Sequence, residues 1–343
     1  MKINNFKNKN ILITGATGSV GSALVFSLIK NYNFKVIRAM SNDENGLFEL
    51  TQKLKSYNPN LTELMLKNKI RLIYGDIRSA ERCMHVTSGI DIVIHAAAMK
   101  HVPICEYNPD EAISTNVVGT QNILNACIKN KVEKFILIST DKAANPQTIM
   151  GTSKLMAEKL TLNSDEFSSN KNFYCIRFGN VIGSRGSVLE IFKNQILNNV
   201  DLTVTHKDMT RFFMDIDHAA SQVLKSLEIS RGGEIFAIKS MHSFRIIDLA
   251  KVIINFYKKK NKIKYIGERN NEKLLEQLLT LEESQEAFEN SQFIITNKKF
   301  SMKNNLKYYS AKKLMNQSLL SSSTAKILNQ KEILKFLQIK KLL

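Results

Sequence analysis

The feature that most restricts what this chain can fold into lies near its start. An apolar run, Asn10–Ala16, breaks into Thr14-Gly15-Ala16-Thr17-Gly18-Ser19-Val20-Gly21, and Ser22–Lys30 continues with apolar residues at helical spacing. A glycine-rich turn between a strand and a helix lets backbone N–H groups approach a pyrophosphate at the positive end of the helix. Gly15, Thr17, Gly18, Ser19, Val20 and Gly21 are therefore candidate dinucleotide contacts. The plainer alternative is a tight turn without a ligand. Either way, such a strand-turn-helix points to a parallel α/β sheet.

More of the same alternation follows. Phe34–Met40 reads as a second strand, ending at Ser41, Asn42 and Asp43. At this position an acidic residue binds the ribose 2′-hydroxyl of NAD, whereas an arginine accepts the 2′-phosphate of NADP. Ser41 suits a phosphate, Asp43 suits NAD, and Arg38 lies within the strand, so the choice stays open. After a helical stretch, Leu47–Leu54, a third strand spans Ile70–Tyr74 and ends at Gly75, Asp76 and Ile77. Asp76 is either an adenine contact or a turn residue. A fourth strand, Asp91–Ala98, closes on Ala96, Ala97 and Ala98, small enough for a cofactor to lie against the backbone, and its His95 reads as packed. Met99–Pro109 carries too many polar and proline breaks for regular structure. Asp110–Lys129 is a long amphipathic helix containing Asn116.

The chemistry concentrates in residues 134–154. Phe135–Ile138 is a buried strand that empties into Ser139, Thr140, Asp141 and Lys142, and Lys154 follows inside a helix, Gly151–Leu160. A hydroxyl, a carboxylate and two ammonium groups thus sit at the mouth of a parallel-sheet strand, where open α/β folds place their ligands. A strand at Phe173–Arg177 leads into Phe178-Gly179-Asn180-Val181-Ile182-Gly183. Beyond it the elements shorten: helices over Ser187–Asn198, Asp217–Glu228 and Ile246–Tyr257, extended segments at Thr203–Thr205 and Glu234–Ile238. The expected fold is α/β, a Rossmann-like doubly wound parallel sheet over residues 1–183 with a smaller substrate lobe over 184–343 and some crossing between them. The last part is lysine-rich, and Asn329 and Glu332 have capping-box spacing before a short helix ending near Leu337.

Composition narrows the partners. With 43% hydrophobic and 23% charged residues, a 343-residue chain is an ordinary globular protein. No run approaches the roughly 20 apolar residues of a membrane helix, and the N-terminus enters a strand without a cleavage signal. A cytoplasmic location without membrane insertion is expected. Cys83, Cys105, Cys127 and Cys175 form no CxxC pair, so reduced buried thiols and no metal site are expected. The net charge of +18 is spread as single and paired lysines, densest at Lys258–Lys264, with no tryptophan. That pattern reads as a solvated surface that steers an anionic nucleotide, with no nucleic-acid partner.

Six motifs then act together: TGATGSVG, HAAAMKHVPICEYNPDEAISTNVVGTQN, LISTDKAANPQTIMGTSK, RFGNVIGSRGSV, VTHKDMTRFFM and GERNNEKLLEQLL. In content and order the chain resembles an extended short-chain dehydrogenase/reductase. More narrowly, it resembles the nucleotide-sugar 4,6-dehydratases of UDP-N-acetylglucosamine, the short soluble type used in capsule and flagellar-sugar synthesis. The resemblance implies tightly bound, recycled NADP or NAD, NADP slightly favoured, a UDP-sugar substrate and a homo-oligomer. It also implies a reaction in which C4 of the hexose is oxidised by hydride transfer to the nicotinamide, water leaves across C5–C6, and the hydride returns to C6.

The same resemblance distributes roles. Lys142 would be the base at C5 and Asp141 the proton donor to the leaving hydroxyl, with Thr140 beside them. A lysine serves as a base only if its pKa is lowered. Lys154 would bond the nicotinamide ribose, with Lys100 and Asn116 also on the cofactor side. Met150 stands where most of the superfamily has tyrosine, and a thioether has no proton to exchange. The base for the C4 hydroxyl is then Asp141, Lys142 or Lys154. Lys100, Asn180, Val181, Ser187, Val188 and Thr205 would face the sugar or its diphosphate, Arg185 and Arg211 the phosphates, and Arg269 with Glu272 the uridine. Asn270-Asn271 replaces the usual Pro-Gly of the last motif. Inversion at C5 is favoured over retention. The rival readings are a UDP-sugar 4-epimerase, which tyrosine at position 150 and no lysine at 142 would favour, and a non-catalytic dinucleotide-binding sensor.

Overall fold

The computed structural model describes residues 3–57, 68–269, 271–315 and 320–343. Its first strands are β1 (Asn10–Thr14), β2 (Val36–Ser41), β3 (Ile70–Tyr74), β4 (Ile92–His95), β5 (Lys134–Thr140) and β6 (Phe173–Phe178). β4 and β6 are buried along their whole length and β5 at all but its ends. Strands covered on both faces lose the apolar-polar alternation of a half-exposed sheet. One face packs Ile11, Ile13, Ile94 and Ile136 with the Ser19–Asn31 and Ile216–Ile229 helices, and the other packs Leu12, Val93, Phe135 and Leu137 with the Gly119–Lys129 helix.

The later strands are β7 (Asn180–Val181), β8 (Leu202–Val204), β9 (Thr210–Met214), β10 (Glu234–Ile238), β11 (His242–Arg245), β12 (Ile263–Tyr265), β13 (Phe288–Glu289), β14 (Phe293–Asn297) and β15 (Lys312–Lys313). A ten-stranded sheet runs β15-β13-β14-β10-β6-β5-β4-β1-β2-β3. Everything from β3 to β10 pairs in parallel, and the edge β14-β13-β15 is antiparallel. The strand order reverses between β1 and β4, which opens the crevice where such folds bind ligands. A boundary near residue 183 is crossed by β10 and β13–β15, which return to the large sheet. The small sheet β11-β9-β7 and the helices Val188–Leu197, Ile246–Phe256 and Gln330–Ile339 form a second layer around Phe192, Phe213 and Phe244. The capping box at Asn329 and Glu332 is present.

Two local readings need correction. Met99–Pro109 is not irregular throughout, because Val102–Tyr107 is a short helix with its proline in the first turn, where a missing N–H breaks no bond. The expected Asp110–Lys129 helix is divided by a π turn, Ser114–Val118, between Pro109–Ile113 and Gly119–Lys129. A π turn of this kind often marks a functional site, and this one carries Asn116. Among the described residues no helix is long and apolar enough to cross a membrane.

Candidate active site

A cleft of about 760 Å³ opens over the carboxyl ends of β1, β4 and β5 and is closed from above by the second layer. Its floor is the glycine turn. Gly15 has φ +65, and a Cβ there would come within 2.7 Å of the Ala97 backbone, so only glycine allows this approach of β1 to β4. A Cβ on Gly21 would strike Gly15 O at 2.2 Å, which keeps the helix seated on the turn. Gly18 caps the Ser19–Asn31 helix without a side-chain bond, leaving its first N–H groups facing the cleft. Gly15, Gly18, Ser19, Val20, Gly21, Ala96 and Ala98 all line it. This glycine-only cradle at a bare helix N-terminus fits a dinucleotide pyrophosphate.

The outer end of that cradle is different. Thr17 Oγ1 and Ser41 Oγ share a hydrogen bond at 2.8 Å, and Asp43 Oδ1 accepts from Gly46 N at 2.8 Å. Asn42 Nδ2 reaches Asp76 at 3.4 Å, but the Asp76 carboxylate is held mainly by Arg78, whose hydrogen bonds keep it below the usual carboxylate range. Of the two readings open for Asp76, the turn residue is the one the contacts favour. Ile77 is core, packed where a Cβ on Gly119 would meet it.

Behind the alanines, Asn116 accepts from Met99 N at 2.8 Å and donates to Met99 O at 3.0 Å and Ser153 Oγ at 2.9 Å. With its amide spent in this way and only 1% exposed, it pins the MKHV segment. His95 is packed between Thr14 and Thr120, and burial, with Lys154 nearby, pushes its pKa down to about 3. Lys154 Nζ donates to Ile138 O at 2.7 Å. Burial lowers its pKa to about 8, with Glu158 opposing. Met150 lines the cleft and packs with Cys105 and Ala112.

At the mouth of β5 the chain turns through a single 3-10 turn, Asp141–Ala143. Thr140 Oγ1 donates to Asp141 Oδ1 at 2.9 Å, and Lys142 Nζ donates to the same oxygen at 3.0 Å and to Asn180 Oδ1 at 3.0 Å. Glu276 Oε1 stands 3.3 Å from Lys142 Nζ and 3.6 Å from Arg211 Nε. Burial alone would lower the Lys142 pKa, but Asp141 and Glu276 together outweigh it and hold the ammonium above its ordinary value. The lowered pKa that a lysine base needs is therefore not supplied by these neighbours. Thr140 and Lys142 line the cleft, whereas Asp141 is 0% exposed and lies behind them. Asp141, expected from the sequence as the donor to a leaving hydroxyl, has no face on the cleft.

The remaining candidates divide. Asn180, Val181, Ser187, Val188, Arg211, Arg269 and Glu272 line the cleft, and Ser187 Oγ has no hydrogen-bond partner among the described residues. Arg211 is buried, donating to Thr210 O, Lys273 O and Leu274 O, with Glu272 at 3.7 Å. Lys100 Nζ donates to Arg185 O at 2.7 Å. Arg185 lines the cleft but reaches toward the glycine turn, with Nη2 donating to Thr17 O at 2.8 Å and Nη1 3.9 Å from Asp43. Its guanidinium thus lies beside the glycine turn and the end of β2. Thr205 is not in the lining and turns its hydroxyl to Met209 Sδ at 3.3 Å. Asn271 lines the cleft at φ 62, and Asn270 lies outside the described residues.

Glu276 and Lys273 are lining residues that sequence reading missed. The segment is irregular, and the motif it belongs to drew attention only to Arg269 and Glu272. The available signal was Leu278-Leu279, an apolar pair in a polar stretch that the fold buries.

A family model described as polysaccharide biosynthesis protein matches residues 11–298. An uncharacterized membrane protein of Methanocaldococcus jannaschii is 46% identical over 289 residues, 82% of this chain and 83% of that one. A UDP-glucose 4-epimerase of Rickettsia canadensis is 41% identical over 287 residues, 82% of this chain and 81% of that one. The X-ray structure of Pen from Bacillus thuringiensis superposes with TM-score 0.88 at 35% identity, covering 98% of this chain and 99% of Pen. A dTDP-glucose 4,6-dehydratase of Streptomyces venezuelae, solved with NAD bound, shares the fold at TM-score 0.68 and 18% identity over 77% of this chain and 86% of that one.

Proposed function

Because the chain belongs to the polysaccharide biosynthesis protein family, we propose that it is a nucleotide-sugar 4,6-dehydratase of UDP-N-acetylglucosamine. The product is a UDP-2-acetamido-2,6-dideoxy-4-ketohexose, with inversion at C5. The observation that carries this reading is Lys142, an amine brought to the cleft and flanked by two buried carboxylates where the superfamily's tyrosine is replaced by Met150. An epimerase needs one proton acceptor at the C4 hydroxyl, whereas elimination needs a second proton-transfer group at C5–C6.

A nicotinamide dinucleotide, when bound, supplies reversible hydride transfer. The glycine cradle would hold its pyrophosphate, and Lys154, with a pKa near 8, would meet its ribose. Arg185 brings a guanidinium within 3.9 Å of Asp43 at the end of β2, which supports NADP over NAD. Lys142 takes the C5 proton. Thr140 orders Asp141, and Asp141 holds Lys142 in place. Arg211 and Arg269 neutralise the diphosphate and steer the UDP end.

The test is incubation of the purified protein with UDP-N-acetylglucosamine, followed by NMR. A 6-methyl signal beside a 4-ketone, with couplings of the C5-inverted sugar, is the expected result. UDP-N-acetylgalactosamine at unchanged mass would hand the function to the epimerase, the reading favoured by the Rickettsia relative's name.

A further inference from the structure

Glu276 is only 2% exposed, its Oε2 accepts no hydrogen bond among the described residues, and it lies in the wall of the cleft. Its other oxygen approaches Lys142 Nζ at 3.3 Å and Arg211 Nε at 3.6 Å. A buried carboxylate oxygen left in this way is costly, and Glu276 sits on a different chain segment from Asp141 and Lys142. We propose that Glu276 is a catalytic acid of the elimination: it takes a proton from the Lys142 ammonium, freeing that amine as the base, and delivers the proton to the departing C6 oxygen.

The choice of Glu276 over Asp141 follows from what each carboxylate touches. Asp141 Oδ1 accepts from both the Thr140 hydroxyl and Lys142, and although its Oδ2, like Glu276 Oε2, accepts no hydrogen bond among the described residues, the residue has no face on the cleft. Glu276, by contrast, lines the space where substrate must sit. Around the pair stand Asp141 from the β5 turn, Asn180 from β7, Arg211 from β9, and Lys273 from the segment of Glu276 itself.

The bonds balance. One N–H bond of Lys142 breaks and an O–H bond forms on Glu276, the electron pair staying on Nζ, so a cation and an anion become two neutral groups. The amine then removes the C5 proton, the C–H pair becomes the C5–C6 double bond, and the C6–O pair leaves with oxygen. That oxygen takes the proton from Glu276 and departs as water. Lys142 is again an ammonium and Glu276 a carboxylate, so elimination leaves the pair as it began.

This inference rests on the dehydratase reading, and Glu276→Gln separates the two. The amide keeps the shape and cannot store the proton. Dehydration and C5 hydrogen exchange with deuterated solvent should both fall at least ~100-fold, with Glu276→Asp recovering part of the loss. Acylation of Lys142 by a small reagent, read by peptide mass, should shift to lower pH once the neighbouring charge is gone. If Glu276 acted only through its charge, Glu276→Gln would keep C5 exchange at full rate with its pH limb moved downward; that result, or an unmoved labelling profile, overturns the proposal. Should Glu276→Gln fail to fold, an undiminished rate in Glu276→Asp overturns it and a rate at least ~10-fold lower supports it. A wild-type protein that dehydrates no UDP-sugar overturns the dehydratase reading, and this proposal with it.

Discussion

Two buried ion clusters lie near the ends of β5 and β6, one around Arg177 and one around Lys142, and they are built to opposite standards. Arg177, 0% exposed, donates to Glu158 through Nε and Nη2 at 2.8 and 2.6 Å, to Glu283 at 2.7 and 3.0 Å, and to Leu278 O at 3.0 Å. Ser139 adds a bond to Glu158 at 2.5 Å, and Glu283 completes the capping box of the Leu281–Gln285 helix. In the Lys142 cluster, Asp141 and Glu276 each keep an oxygen without a partner among the described residues, and Lys142 serves both. A fully paired network fixes geometry; a partly paired one is expensive and persists where function uses it. The Arg177 cluster joins β5, β6, the Ile149–Phe167 helix and the segment after Glu276, and so holds in register the parts from which the Lys142 cluster is made.

Variants can break this comparison from either side. The largest effect is expected from Arg177→Met, which strands two carboxylates and should cost about 3–5 kcal/mol of unfolding free energy, read by denaturant titration. Lys142→Arg keeps the charge and removes the accessible lone pair, so turnover should fall ~100-fold or more while the melting temperature stays close to wild type. If Lys142→Arg unfolded the protein and Arg177→Met spared it, the two clusters would have been assigned the wrong way round. The smallest effect concerns pH. Burial acts to raise the Glu283 pKa, but the hydrogen bonds and charge of Arg177 outweigh it and set it below 4.5. A carboxylate depressed on folding stabilises above its unfolded pKa, and the contribution is lost as pH falls through the folded value. The melting temperature should thus decline on acidification below about pH 4.5, and Glu283→Gln should lower the neutral plateau and flatten that decline.

The same contrast explains what the sequence made legible. The glycine turn, the apolar strands and the Thr140–Lys142 outlet are local patterns, and the fold places them as read. Arg177 carried a signal too, a single charge inside the apolar run Phe173–Phe178, though its partners lie far along the chain at Glu158 and Glu283. The antiparallel edge did not announce itself: β13 and β15 are two residues each, and β14 holds its place by pairing with β10. The Ile149–Phe167 helix outruns the expected Leu160 because Asp165 is drawn inward by Phe173 N and Lys299. Arg185 and Thr205 matched a motif, but their directions are set by Thr17 and Met209, which no spacing reveals.

The central claim is that Lys142 and its carboxylates move a proton at the sugar's C5. Running wild type and Lys142→Arg in deuterated water with UDP-N-acetylglucosamine, and weighing the products, tests it most directly. Wild-type product should have lost water and gained one solvent deuterium at C5, and the variant should yield neither. Deuterium entering C5 in the variant at the wild-type rate would place the elimination elsewhere.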